Sequence, residues 1–152
     1  MHASPHALRI LVVEDEPDIR EMLVACLSCE AEVEGAADGQ EALDRLARGP
    51  LPSVILLDLR MPRLSGEGVL RALERLPARP PVVTMSACTH EAPPGSAAHL
   101  DKPFSIEEAL SALRRASRSS GTTAREASAS SPTPPRPPAG AVLAPAPTPL
   151  PR

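Results

Sequence analysis

Ser53-Val54-Ile55-Leu56-Leu57-Asp58 places four consecutive aliphatic side chains between a hydroxyl and a carboxylate. A strand with one wet face alternates apolar and polar residues. This run does not alternate, so both of its faces are predicted to be covered, as in the middle of a parallel sheet. Such a strand needs neighbours on either side and helices above and below. It also ends on a charge, and open parallel sheets bind their ligands beyond the carboxyl ends of the strands.

Upstream of this run, Leu8 to Val13 is a second aliphatic stretch, and it too ends in acids, Glu14, Asp15 and Glu16. Pro17 then opens a helix, with Ile19, Met22, Leu23, Cys26 and Leu27 at three- and four-residue spacing. A short strand follows near Glu32 to Ala36. Asp38-Gly39 turns into a second helix with an apolar face of Ala42, Leu43 and Leu46, which Gly49-Pro50 ends. Downstream, the loop through Met61-Pro62 and Gly66 leads to a helix marked by Val69, Leu70, Leu73 and Leu76 and stopped at Pro77. Pro81 to Ser86 is a fourth strand and Ala97 to Leu100 a short fifth. Ser105 with Glu108 forms a capping box for a last helix whose apolar face is Ile106, Ala109, Leu110 and Leu113.

Strand and helix therefore alternate, which predicts an α/β fold: a five-stranded parallel sheet, flavodoxin-like and doubly wound, with helices on both faces. Only 15 residues separate Ser86 from Lys102, with Pro93-Pro94-Gly95 among them. The fourth helix is thus expected to be shortened or missing, replaced by a loop or a single turn. Residues 1–7 are expected to be a disordered N-terminus, 8–116 the folded domain and 117–152 a disordered tail. Nine of those last 36 residues are proline, serine and alanine supply nearly half of the rest, and such a segment buries too little apolar surface to offset its ordering entropy. Its Thr133-Pro134-Pro135-Arg136-Pro137-Pro138 stretch has polyproline II character and could be a ligand for a polyproline-binding module, although a solubilising tail is the plainer reading.

Charge and cysteine usage narrow the function. The net charge is −3; residues 117–152 hold four arginines against Glu126, a net +3, which leaves −6 on residues 1–116. An acidic domain is unsuited to binding nucleic acid through phosphate contacts. No stretch approaches the ~20 apolar residues of a membrane helix, and no signal peptide is expected, so the chain is read as cytoplasmic. Cys26, Cys29 and Cys88 do not make a disulfide framework. Cys26 and Cys29 form a C-x-x-C near the end of a helix rather than its start, so core packing is expected in preference to redox chemistry. His2, His6 and His90 are read as scattered surface residues.

The chemistry collects at the strand ends. Glu14 and Asp15 follow the first strand, Asp58 ends the third, Ser86 ends the fourth, and Asp101-Lys102-Pro103 follows the fifth. Three carboxylates in one crevice repel by roughly 3–4 kcal/mol per pair at separations near ~5 Å and an effective dielectric near ~20. A hard divalent cation held by oxygen would compensate, Mg²⁺ (or Mn²⁺) rather than zinc, because no histidine or thiol joins the set. Each residue alone has a plainer reading: the acidic pair as a solvated helix start, Ser86 as an ordinary strand-end hydroxyl, Lys102 as a surface lysine. Together they suit phosphoryl transfer, with Asp58 as a nucleophile that needs no general base.

Glu14-Asp15-Glu16-Pro17, Asp58-Leu59-Arg60-Met61-Pro62 with Gly66, Ser86-Ala87 and Lys102-Pro103-Phe104 together resemble the receiver domain of two-component response regulators. The resemblance covers residues 8–116. It implies that Asp58 accepts a phosphoryl group from a phosphohistidine on a histidine kinase or histidine phosphotransfer protein. It further implies that Glu14, Asp15, Asp58 and the backbone carbonyl of Arg60 hold the metal, that Lys102 pairs with the acyl phosphate, and that Ser86 swings in to bond a phosphoryl oxygen. Arg60 and Cys88 would tune hydrolysis, Pro62, Gly66 and Pro103 would be structural, and the Lys102–Pro103 bond would be cis. Such a protein is not an enzyme beyond its own phosphorylation and dephosphorylation, and it signals by docking on protein partners.

One departure is His99, where the family carries an aromatic ring that turns inward on activation. An imidazole there would give either a weakened or pH-sensitive switch, or a neutral, exposed ring with no switching role. A degenerate receiver that acts as a phosphorylation-independent interaction module is therefore the alternative. A phosphatase with an aspartyl nucleophile is disfavoured because Arg60 stands where those hydrolases place a second aspartate.

Overall fold

The computed structural model describes residues 7–126. Five strands, β1 (Arg9–Val13), β2 (Glu32–Ala36), β3 (Val54–Asp58), β4 (Val82–Ser86) and β5 (Ala98–Asp101), form one sheet. All pairings are parallel and the order is β2-β1-β3-β4-β5. The aliphatic run before Asp58 is the central strand, and every residue of β3 is buried. Its side chains alternate between two cores. Val54 and Leu56 join Ile10, Val12, Val83 and Met85 on one face, under Leu23 and Leu27 of α1 (Pro17–Leu27) and Leu113 of α4 (Ile106–Glu126). Ile55 and Leu57 join Leu11 and Val13 on the other, under Leu46 of α2 (Gly39–Arg48) and Val69, Leu70 and Leu73 of α3 (Gly66–Leu73).

The helix starts follow local chemistry. Asp38 caps α2 by accepting from Glu41 N at 2.8 Å, and Glu41 Oε2 accepts from Ala37 N at 2.8 Å. Ser65 caps α3. Ser105 and Glu108 make the expected reciprocal box, at 3.1 and 2.7 Å. Gly66 is required by space: a Cβ there would lie 2.5 Å from the carbonyl oxygen of Asp58 and 2.7 Å from Leu59 Cα.

Three expectations need correction. Cys26 and Cys29 are exposed, as is Cys88, so none packs in the core. The buried stripe of α1 runs through Leu23 and Leu27. Met22 and Cys26 lie one residue, about 100°, off it, and Cys29 falls in the turn after the helix. Leu76 is not on the buried face of α3, because the helix stops at Leu73. Its hydrogen bonds tighten to three-residue spacing at Arg75 N→Ala72 O and Leu76 N→Leu73 O, which leaves Leu76 exposed. Finally, the tail does not begin at 117: α4 runs to Glu126. Apolar periodicity ends at Ala116, but no proline follows Pro103 before Pro132, and the lone Gly121 costs a helix only about 1 kcal/mol. Residues 1–6 and 127–152, with the proline-rich stretch, lie outside the described residues.

Between β4 and β5 no helix forms. Residues 87–97 make a loop with one turn, where Ser96 N and Oγ both donate to Pro93 O.

Candidate metal centre at the strand ends

The parallel register brings the chemistry of distant segments to one rim. Glu14 directly follows β1 and is held beside β2 by Glu14 N→Ala36 O, 3.1 Å. Asp58 is the last residue of β3 and pairs in register with Met85, the residue before Ser86. Both acids are buried, Glu14 at 1% and Asp58 at 4% exposure. Carboxylate oxygens of Glu14, Asp15 and Asp58 all lie within 4.8 Å of one another.

Lys102 enters from the end of β5. Its Nζ donates to Glu14 Oε2 at 3.0 Å and stands 3.6 Å from Asp58 Oδ1. Backbone donors add to this: Glu16 N reaches Glu14 Oε1 at 3.2 Å, and Arg60 N reaches Asp58 Oδ1 at 3.2 Å. These contacts do not fully offset the loss of water around Glu14. Burial raises its carboxyl from the ordinary 4.5 to about 6; the Asp58 charge pushes the same way, and the Lys102 bond opposes both. A pocket with three carboxylates and one ammonium is short of positive charge. All its donors are oxygen, and a hard ion with ligands at ~2.1 Å spans opposed oxygens roughly 4.2 Å apart, close to the present cluster. The residues therefore fit Mg²⁺ or Mn²⁺.

Ser86 is 2% exposed; its Oγ accepts from Cys88 N at 3.1 Å, and its carbonyl accepts from Lys102 N at 2.9 Å. The hydroxyl, the loop after it and the lysine are thus mechanically linked. The Lys102–Pro103 peptide is cis. Arg60 and Cys88 are exposed at the rim, and Pro62 is exposed beside the buried Met61.

His99 departs from the exposed-ring reading. Its side chain is 6% exposed and turned inward. Nε2 lies 2.6 Å from the carbonyl of Thr89, which only accepts, so Nε2 carries a proton. In the neutral ring, Nδ1 then accepts from the buried Thr84 hydroxyl at 2.8 Å. Asp101 Oδ1 sits 3.5 Å from Nε2, and the exposed His90 contacts the same oxygen at 3.2 Å. Sequence reasoning missed Thr84, whose signal is its place two residues before Ser86 on the same strand face. It also missed Arg20, which donates to the carbonyls of Glu14 and Asp15. A cavity of about 430 Å³ opens at the opposite end of the sheet beside Arg9, Glu32, Glu34 and Arg45, where ion pairs already match the charges; it offers no convergent ligand set.

Residues 10–114 match the family model for the response regulator receiver domain. The chain belongs to that family. The receiver is 38% identical over 126 residues to the transcriptional regulatory protein YkoG of Bacillus subtilis, covering 74% of this chain and 52% of YkoG. It is also 38% identical over 114 residues to the response regulator MprA of Mycolicibacterium vanbaalenii, covering 70% of this chain and 49% of MprA. The chain therefore spans about half the length of the curated relatives it matches. Among solved structures, the receiver resembles Vibrio cholerae chemotaxis protein CheY4 with a TM-score of 0.62 and 30% identity, over 72% of this chain and 98% of CheY4. It resembles Thermotoga maritima TrrA, solved with Mg²⁺ and BeF, with a TM-score of 0.65 and 29% identity, over 72% and 98%. Among the described residues, no helix is long and apolar enough to cross a membrane.

Proposed function

We propose that this receiver takes a phosphoryl group on Asp58 from a phosphohistidine donor, a histidine kinase or histidine phosphotransfer protein, and signals by docking on a protein partner in the cytoplasm. An Asp58 carboxylate oxygen attacks phosphorus as the P–N bond breaks, and the departing imidazole nitrogen recovers a proton from water. Glu14, Asp15, Asp58 and the Arg60 carbonyl would hold Mg²⁺ (or Mn²⁺), which when bound neutralises charge on the phosphoryl oxygens. Lys102 is already 3.6 Å from the acceptor and would pair with the acyl phosphate. Ser86 would bond a phosphoryl oxygen and pull on the loop to Cys88. Arg60 and Cys88, exposed at the rim, would set access of the hydrolytic water. The chemistry is confined to the chain's own aspartate and does not turn over a separate substrate.

The observation that carries this reading is the convergence of Glu14, Asp15, Asp58 and Lys102 from three strand ends into one oxygen-lined pocket. Incubation with acetyl phosphate and Mg²⁺ should add one phosphate by intact mass, and Asp58→Asn should abolish the addition; a wild-type chain that never gains it defeats the proposal. The interaction-module reading is favoured by one specific observation, the inward, doubly hydrogen-bonded His99. It predicts equal partner affinity with and without beryllofluoride.

A further inference from the structure

The turn that carries Glu14 and Asp15 lacks the usual lock. Glu16, at the N-cap of α1, makes no side-chain capping bond, and Pro17 has no N–H to offer. Arg20, one turn into the helix, reaches back instead. Its Nη1 donates to Glu14 O at 2.8 Å and lies 3.4 Å from Asp15 O, while its own backbone N donates to Glu16 O at 2.9 Å. Peptide units are rigid planes, so fixing two successive carbonyls fixes the directions in which the flanking side chains leave the backbone. The two side chains so aimed are metal-ligand candidates.

A second observation concerns β2. Gly35 does not have a positive φ, so conformation does not explain it. A Cβ at Gly35 would lie 3.2 Å from both Cγ and Cδ of Arg20 and 3.3 Å from Val24 Cγ2, tighter than ordinary contact. Glycine inside a strand often marks such a close approach. Here it leaves a channel for the Arg20 stem between α1 and the sheet.

We propose that Arg20 is a positioning residue for the divalent-ion site, aiming the Glu14 and Asp15 carboxylates through their backbone, and that Gly35 is glycine to let it do so. This rests on the reading that the pocket takes Mg²⁺. Arg20 touches neither the ion nor the phosphoryl group. Its guanidinium presents several donors in a fixed fork, which a lysine ammonium does not reproduce.

The test is Mg²⁺ and Mn²⁺ affinity of the full chain by titration calorimetry, without a phosphodonor, beside the unfolding midpoint in EDTA. Arg20→Met is expected to weaken binding about 10–100-fold, the range for groups that orient metal ligands. Arg20→Lys should fall between it and the wild type. Gly35→Ala, which alters no charge, should weaken binding by about 3–10-fold, below that range because the Arg20 stem is displaced and not lost. Wild-type affinity in Arg20→Met, or in both Arg20→Lys and Gly35→Ala should Arg20→Met not fold, overturns the proposal even if the midpoint drops, because that pattern means support of the fold alone. A wild-type chain that binds neither ion sinks the reading of the pocket instead.

Discussion

The acidic rim and the β4–β5 flank solve opposite problems on one sheet. At the rim, carboxylates from the ends of β1 and β3 meet a lysine from the end of β5, three negative charges against one positive. At the flank, the helix that would cover β4 and β5 is missing, yet no apolar surface is stranded. Apart from Val82, which joins the α2–α3 core, the positions facing that side are Thr84, Ser86, His99 and Asp101, where β1 and β3 present Leu11, Val13, Ile55 and Leu57 to α2 and α3. Thr84, His99 and the Thr89 carbonyl satisfy one another. The rim thus carries unbalanced charge, whereas the flank pairs its polar groups within the chain.

Single substitutions separate the rim from the flank. The largest effect is expected at the rim: Asp58→Asn should eliminate phosphoryl uptake by intact mass, yet raise metal-free stability by about 1 kcal/mol in denaturant unfolding, since it removes a repelling charge beside Glu14. Next, His99→Ala should destabilise the fold by about 2 kcal/mol, because it removes the inward-turned ring and the bond to the Thr89 carbonyl, while the Thr84 hydroxyl keeps the Ala98 carbonyl at 3.3 Å. Mg²⁺ affinity by calorimetry should not change in that variant; a parallel loss would show that rim and flank are one unit.

The pH dependence of the metal-free chain follows from Glu14. Its carboxyl is raised from 4.5 to about 6 in the folded state, so between those values the folded chain holds more protons than the unfolded one. Stability from this group is therefore full below about pH 4.5 and declines as pH rises through about 6, by roughly 2 kcal/mol in all. Unfolding midpoints in EDTA across that window should show the decline, and Glu14→Gln should flatten it. The smallest effect is expected at Cys26→Ser and Cys29→Ser, within about 0.5 kcal/mol of wild type by the same assay, because both side chains are exposed.

Most of the fold was legible because it rests on local signals. The unbroken run 54–57 marks a central strand, Ser105 and Glu108 mark a helix start, and too few residues lie between Ser86 and Lys102 for another helix. The rim was legible for a related reason: residues at the carboxyl ends of parallel strands must share an edge, so Glu14, Asp58 and Lys102 could be brought together without knowing any side-chain angle. The misjudged positions are those where a quarter turn decides. Cys26 sits one residue from the buried Leu27, and spacing alone admits both to the same stripe. Leu76 fits the period of α3, but the tightening of the last turn releases it.

By itself, then, the amino-acid order determined which segments are strands, which side chains crown them, and that the crown is acidic with one lysine, since these follow from periodicity along a few residues. Only the tertiary structure decided that His99 turns inward onto Thr84, that Arg20 grips the acidic turn through a gap left by Gly35, and that α4 continues to Glu126. The side-chain contacts join residues 15 apart on neighbouring strands, or a helix and a sheet packed so closely that a Cβ at Gly35 would lie 3.2 Å from the Arg20 stem, and α4 runs past its last apolar position without a proline to interrupt it. No local pattern encodes those distances; packing between elements does.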